Sequence, residues 1–399
     1  ERAATVITAL HGDIAVGVNV GEFGARRAGI AFRRDLRAQP EFLRRPVRRP
    51  RREGGNGYAP AVRPPTLRDV AEAASVHVAT ASRALNPDTR SLVSSTTAER
   101  VLQAAKALDY RPNPIARSLR TARTETVGLV IPDLTNPLVP PMVRGVADVL
   151  APAGYDAWIV NTDNDPDREI AQIESLRDKQ VDGLIVATAR LEHPLLEQLH
   201  DEGVRIVLAN RLLGAGRIPS VTADNAAGSA LAVDHLVALG HRRIAHVSGP
   251  QTLSTGLVRR RGYLHAIRDH GLPEDPDLLV TCAAWTEEEG ARAFGSLLDS
   301  GVEFTAVVAG HDRVALGCYD ALAARGLSCP SDMSVVGFND MPFMDKMRPA
   351  LTTVRVAHYE VGAEAARLLL DSFADPGRPA RGVLLQPTLV IRSSTAPPA

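Results

Sequence analysis

The sequence predicts a small all-α head of helix-turn-helix type, followed by a long α/β body whose parallel sheets are doubly wound. Three observations predict it. Thr66 to Asn86 carries two short helical periods separated by a turn. From Thr126 onward, apolar runs alternate with amphipathic stretches. The chain has 399 residues, more than one comfortable hydrophobic core accommodates, so the body should divide into two lobes.

In the head, Thr66 and Asp69 form a capping pair that starts a helix. Leu67, Val70, Ala71 and Ala74 then fall on one face of a 3.6-residue period. Ser75, Val76 and His77 break that face, and a second helix begins with Val78, Ala81, Ala84 and Leu85. It carries Val78, Ala79 and Thr80 at its start and then Ser82 and Arg83, small, hydroxylated or cationic groups that allow a helix to enter a DNA groove. An Ala-rich hairpin inside a larger core is the competing reading of this window. A third helix is predicted over Ser94 to Leu108, with Val101, Ala104, Ala105 and Leu108 inward. The following segment, Tyr110 to Arg120, can start a helix at Asn113-Pro114 but is too short to hold one alone.

In the body, Val127 to Ile131, Ala157 to Val160, Gly183 to Ala187, Ile206 to Ala209, Ile244 to Val247, Ala306 to Ala309 and Ser334 to Phe338 read as buried parallel strands. Ile170 to Lys179, Ala226 to Leu239 and Arg313 to Arg325 read as helices between them. The formal net charge is zero, but the Arg-rich stretch before Pro64 and the head are positive, which leaves the body acidic. Cys282, Cys318 and Cys329 form no paired motif, which argues against a disulfide framework and for a reducing compartment. His241 and His311 have no partner at metal-ligand spacing, so neither a metal nor any other cofactor is expected.

The chain resembles a LacI/GalR-type transcriptional regulator from about Pro65 to Ser393. The motifs that carry the likeness are TLRDVA (66–71), TASRALN (80–86), LDYRPNPIARSL (108–119), VGLVIPDLTNP (127–137), VDGLIV (181–186), LGHRRIAHVSGP (239–250) and SVVGFND (334–340). The resemblance implies a two-lobed, periplasmic-binding-protein-like body with an effector cleft, crossed three times by the chain, first near Asp224-Asn225. It implies a homodimer on a palindromic operator, a sugar as the default effector, repression rather than activation, and a cytoplasmic protein. Val78 and Ala79 match the base-reading pair and Arg83 the polar residue one turn later. Thr66, Thr80, Ser82, Asn86, Ser94 and Thr97 match phosphate-holding positions. Asn113, Ala116, Arg117 and Leu119 fall on the hinge helix, Leu119 as the minor-groove wedge. Ser75 and His77 depart from the usual glycine and serine of the turn.

For the effector, the resemblance points to Leu138, Val139, Thr255, Arg259 and Trp285, with Asn210, Asp224, His311 and Asp312 as further polar candidates. Asn339 stands where the family usually carries an aspartate. Blander readings compete: Arg259 as part of a solvated Arg259–Arg261 face, Trp285 as core packing, and Asp312 as a helix cap. The expected division is an extension over 1–63, a head over 64–111, a hinge over 112–123, an effector and dimerisation body over 124–393, and a tail over 394–399. The N-lobe is placed at about 124–224 and 346–380, and the C-lobe at about 225–345 and 381–393. The extension reads as disordered or as an upstream start-site artefact, with a basic DNA-binding arm as the alternative. Its Thr5 to Val20 stretch is broken by His11, Gly12 and Asp13 and does not read as a signal peptide. An extracytoplasmic sugar-binding protein and an α/β enzyme compete with the regulator; the first would lack the head, and the second lacks a phosphate loop or nucleophile elbow. The tail offers no heptad helix, so a dimer is expected over a tetramer.

Overall fold

The computed structural model describes residues 63, 65–86, 89–111, 123–214, 216–375 and 377–398. The expected hinge residues Asn113, Ala116, Arg117 and Leu119 and the expected extension (apart from residue 63) lie outside the described residues. The described residues separate into two compact units, a head that reaches residue 111 and a body that begins at residue 123.

The head contains α1 (Leu67–Ala73), α2 (Val78–Leu85) and α3 (Ser95–Ala107). Thr66 and Asp69 close a reciprocal capping box on α1. Val70, Ala71, Ala74, Ala81, Ala84, Ala98, Val101 and Ala105 form its core. These side chains are small, so the three helices approach closely, and the outward faces of α2 remain free of bulky apolar groups. Ala104 and Leu108, expected inward, are less buried, and Leu108 is exposed. The chain leaves α3 at Leu108, its C-cap, before it could enclose that side chain.

The body begins with β1 (Thr126–Ile131), α4 (Val139–Leu150), β2 (Asp156–Asn161), α5 (Pro166–Asp178), β3 (Gly183–Val186), α6 (Pro194–Asp201), β4 (Ile206–Ala209) and β5 (Ser220–Ala223). It continues with α7 (Asn225–Ala238), β6 (Ile244–Ser248), α8 (Ser254–Asp269), β7 (Leu279–Thr281), α9 (Glu287–Leu298), β8 (Ala306–Ala309), α10 (Asp312–Ala323), β9 (Ser334–Asn339) and β10 (Thr352–Arg355). It closes with α11 (His358–Ala374), β11 (Gly382–Leu385) and β12 (Thr388–Val390). One sheet has the order β11-β5-β4-β3-β1-β2 and the other β12-β10-β9-β8-β6-β7. Every pairing is parallel except β10 with β12. Apolar cores cover both faces of each sheet, which is why strands such as TVGLVI are buried at every position. No helix among the described residues is long and apolar enough to cross a membrane.

The chain passes between lobes at Ala223–Asn225, at Val356–His358 and at Leu385–Thr388, three crossings, the first where expected. The later boundaries differ from the expectation. β10 belongs to the second lobe and β11 to the first, so the first lobe regains the chain at α11, and the second regains it only at β12. β10 and β11 are short strands of four residues without a long apolar run, which hid them in the sequence. The expected tail is likewise partly structural: Ser394 is fully buried and donates to Val335 O at 2.6 Å.

The packing of α4 against α11 brings the second crossing to the cleft. A Cβ on Gly362 would sit 2.0 Å from Met142 O, and one on Gly145 would sit 2.1 Å from Tyr359 O. Only glycine permits this backbone approach, and it sets His358, at the start of α11, beside the chain that opens α4.

Candidate functional site

In the head, α2 is positioned by a turn with two unusual solutions. Ser75 adopts φ 52°, the left-handed region that glycine enters without cost. His77 caps α2 through Nδ1, which accepts the Ala79 N–H at 3.2 Å. The helix rotation that buries Ala81 and Ala84 leaves Val78, Ala79 and Arg83 exposed, and Thr80, Ser82 and Asn86 half-buried. At the far end, Thr89 Oγ1 donates to Arg83 O and Arg90 Nε to Ala84 O, so two otherwise open carbonyls of α2 are satisfied. Thr66 Oγ1 donates to Asp69 Oδ2 at 2.8 Å, and Ser94 Oγ donates to Thr97 Oγ1 at 2.9 Å. These hydroxyls are therefore engaged in caps of α1 and α3.

In the body, a cavity opens between the carboxyl ends of the two sheets. Pro132, Ala187 and Asn210 follow β1, β3 and β4; Trp285, His311 and Asn339 stand at or after the ends of β7, β8 and β9. Each lobe thus presents an asparagine at the end of a strand with positive φ, Asn210 at 65° and Asn339 at 117°. Leu138, Val139 and Met142 form an apolar wall at the start of α4, and Thr255 and Arg259 come from one face of α8.

Arg259 is 3% exposed. The helical period explains why it alone of the three arginines turns inward, with Arg260 half-buried and Arg261 exposed. Its Nε donates to Asn225 Oδ1 at 2.8 Å, Nη1 to Gly310 O at 2.6 Å and Nη2 to Asn339 Oδ1 at 3.2 Å. The guanidinium stacks 3.8 Å from the centre of the Phe338 ring and lies 5.6 Å from that of Trp285. Burial pushes its pKa down to about 9.

Trp285 satisfies both of its readings. It packs against the second lobe's core and also lines the cavity. Its ring lies so close to Gly249 that a Cβ there would be 2.0 Å away, and its centroid is 5.5 Å from that of His311.

Three polar atoms of buried residues that line the cavity have no partner among the described residues: Thr255 Oγ1, Asn339 Nδ2 and His358 Nε2. Buried polar atoms are nearly always paired, and three of the six such atoms among the described residues face this one cavity, where a bound polar group can pair with them. Burial holds His358 at a pKa of about 3 and drives His311 well below the ordinary imidazole value, so both are neutral.

Two expected effector residues do not line the cavity. Asp224 Oδ1 accepts the Ala227 N–H and caps α7. Asp312 is fully buried, its oxygens taking Met341 N–H at 2.7 Å and Thr353 Oγ1–H at 2.5 Å. Nor does Asp312 cap α10. His311 holds that position and accepts the Arg313 N–H through Nδ1. Asp312 pins the β9 end that carries Asn339, and burial raises its pKa to about 6.

The cavity also contains Asn136, Arg211 and His358, which sequence reasoning missed. Arg211 follows Asn210 at the end of a predicted strand and was legible there; His358 follows a strand that was itself missed. Across the rims, Leu212 N–H donates to Ser254 Oγ at 2.8 Å and Leu191 N–H to Thr252 O at 3.0 Å, which ties loops of the first lobe to the entry of α8.

The profile of bacterial regulatory proteins of the lacI family matches residues 66–113, and that of the periplasmic binding protein-like domain matches residues 233–395. The catabolite control protein A of Priestia megaterium is 35% identical over 305 residues, covering 76% of this chain and 91% of its own. The chain belongs to the lacI family of bacterial regulatory proteins. This lacI-family regulator is also 34% identical to the ribose operon repressor of Halalkalibacterium halodurans, over 83% of this chain and 97% of the repressor. Among solved structures, the lac repressor dimer bound to operator and the anti-inducer ONPF superposes with a TM-score of 0.74 at 25% identity, covering 84% of this chain and 99% of that one.

Proposed function

We propose that this regulator is a repressor that binds a palindromic operator as a homodimer and is controlled by a small polyol, a sugar or sugar derivative, in the cavity between its lobes. One observation carries the reading. A single chain joins a head that exposes Val78, Ala79 and Arg83 on one helix to a body whose cleft presents three buried, unpartnered polar atoms.

In this reading Val78 and Ala79 contact thymine methyls and Arg83 a guanine, while Thr66, Thr80, Ser82, Asn86, Ser94 and Thr97 hold phosphates, in part through the backbone N–H groups of the capped helix starts. Asn113, Ala116, Arg117 and Leu119 form the hinge contacts. In the cleft, Trp285 stacks on the apolar face of the ligand, Leu138 and Val139 close over it, and Asn210, Thr255, Arg259, His311 and Asn339 hydrogen-bond to it. Arg211 and His358 join that set; Asp224 and Asp312 act behind it by fixing the backbone.

The three crossings are the hinge of a lobe motion. A ligand that binds one lobe arrangement better than the other shifts operator affinity by that difference, and the operator shifts ligand affinity by the same factor. The cleft binds without turnover, and the protein acts in the cytoplasm, where its DNA lies. The test is footprinting on DNA flanking the protein's own coding region, with and without a sugar panel. A symmetric footprint of two half-sites that a panel member shifts is expected; protection without sequence preference would overturn the reading.

A further inference from the structure

The charge of the cleft is one-sided. Arg211 and Arg259 line it, His311 and His358 line it in neutral form, and among the described residues no aspartate or glutamate does. The nearest carboxylates stand behind the wall and are occupied. Both oxygens of Asp312 accept protein donors, as above. Glu169 is buried, accepts from the Thr188 hydroxyl and pairs with Arg190 at 3.2 Å. Asp340 pairs with Arg355 and Arg392 at 2.7 Å each.

The two guanidiniums are differently committed. Arg259 offers five N–H groups, of which three donate to neutral protein oxygens, and two remain. Arg211 makes no side-chain hydrogen bond or ion pair among the described residues, although it is shielded enough for burial to push its pKa down to about 10. The one carboxylate that acts on Arg211 is Glu169, at longer range and already in contact with Arg190, so a shielded guanidinium is left with room for a direct anionic partner. Beside this cationic floor stand Thr255 Oγ1, Asn339 Nδ2 and His358 Nε2, all unpartnered, on residues at least nine-tenths buried.

We infer that the effector is anionic: a monosaccharide-sized polyol with one carboxylate or phosphate, whose charged group is seated between Arg211 and Arg259. Its hydroxyls pair with Thr255, Asn339 and His358. The inference rests on the cleft being the effector site. Arginine suits such a group because its planar fork offers two parallel N–H donors to two oxygens, which a neutral hydroxyl cannot use. Asn339 fits the same scheme, since an amide there donates toward the ligand without adding a negative charge that would repel it.

The test compares matched pairs on the full chain by calorimetry: glucose with gluconate and with glucose 6-phosphate, and ribose with ribonate and with ribose 5-phosphate. At least one anionic member should bind at least about tenfold more tightly than its neutral parent, the scale of one charge-assisted hydrogen bond. The carboxylate and phosphate arms identify which anion it is. Arg211→Gln should abolish that preference, weakening the anion far more than the neutral parent, and Arg211→Lys should keep part of it. A neutral parent that binds as well as its anion, a preference unchanged in Arg211→Gln, or silence from every pair would each overturn the inference. Operator binding is followed on the same samples, so that failure of the regulator reading, seen as loss of DNA binding, is distinguished from failure of the charge assignment. If Arg211→Gln does not fold, the wild-type pairs and Arg211→Lys decide.

Discussion

The head and the cleft solve opposite problems with polar side chains. The head keeps a core of alanines and valines and leaves Val78, Ala79 and Arg83 outside, where each needs only to be held by its helix. The cleft takes Thr255, Arg259, Asn339 and His358 almost wholly out of water and holds them from three separate segments of chain. A surface reader therefore tolerates substitution with little loss of stability, whereas a buried binding site is also part of what holds the lobes together.

The largest expected break in this comparison is with pH. His193, His246, His311 and His358, all in the body, have pKa values depressed by burial, the first two to about 4 and the last to about 3. A depressed histidine contributes stability that is full above its unfolded value near 6.5 and is lost as pH falls toward the folded value. Asp312, raised to about 6, opposes this, since its protonated form is favoured in the fold and gains as pH falls from about 6 toward 4. His235 and His241 are lowered by burial as well, and Glu169 is raised and opposes with Asp312, but the histidines outnumber the carboxylates, so the body should lose stability as pH falls from 6 to 5. Urea unfolding followed at Trp158 and Trp285, both in the body, measures it. A flat profile would contradict the burial assigned to these groups.

Next in size is Arg259→Met. It leaves Asn225 Oδ1, Gly310 O and Asn339 Oδ1 without their donor. The expected cost is about 3 kcal/mol or more, together with loss of ligand response, read by thermal unfolding and titration. Arg83→Ala should cost about 1–3 kcal/mol of discrimination at one operator base pair and leave body stability unchanged. Equal weakening on all operator variants would make Arg83 a phosphate contact instead. The smallest effect is expected from Ser75→Gly, which relieves the φ of 52° and should stabilise the head by about 1 kcal/mol, visible in the protection of α1 and α2 in hydrogen exchange.

Legibility followed the same division. The first two helices of the head could be read in one window, because their caps and inward faces lie within some twenty consecutive residues and depend on local periodicity. In the body, the buried strands of continuous apolar residues were readable, while β5, β7, β10, β11 and β12, three or four residues long, were not. Arg259 was found by resemblance, but its burial follows from the rotation of α8, which a run of three arginines conceals. His358 depends on the glycine contact of α4 with α11, and no local pattern announces a contact between segments some two hundred residues apart. Asp312 illustrates the converse. A polar residue at a strand end reads as a ligand until the donors of Met341 and Thr353 are seen to occupy it.

In the proposed mechanism, occupancy of the cleft and affinity of the head are one equilibrium. The most direct measurement is calorimetric titration of the full chain with the anionic and neutral sugar pairs, repeated with a palindromic operator duplex present, alongside operator affinity with each sugar at saturation. The account predicts that a binding sugar changes operator affinity, and that the operator changes the affinity for that sugar by the same factor in the same direction. A sugar that saturates the cleft while operator affinity stays constant would contradict it.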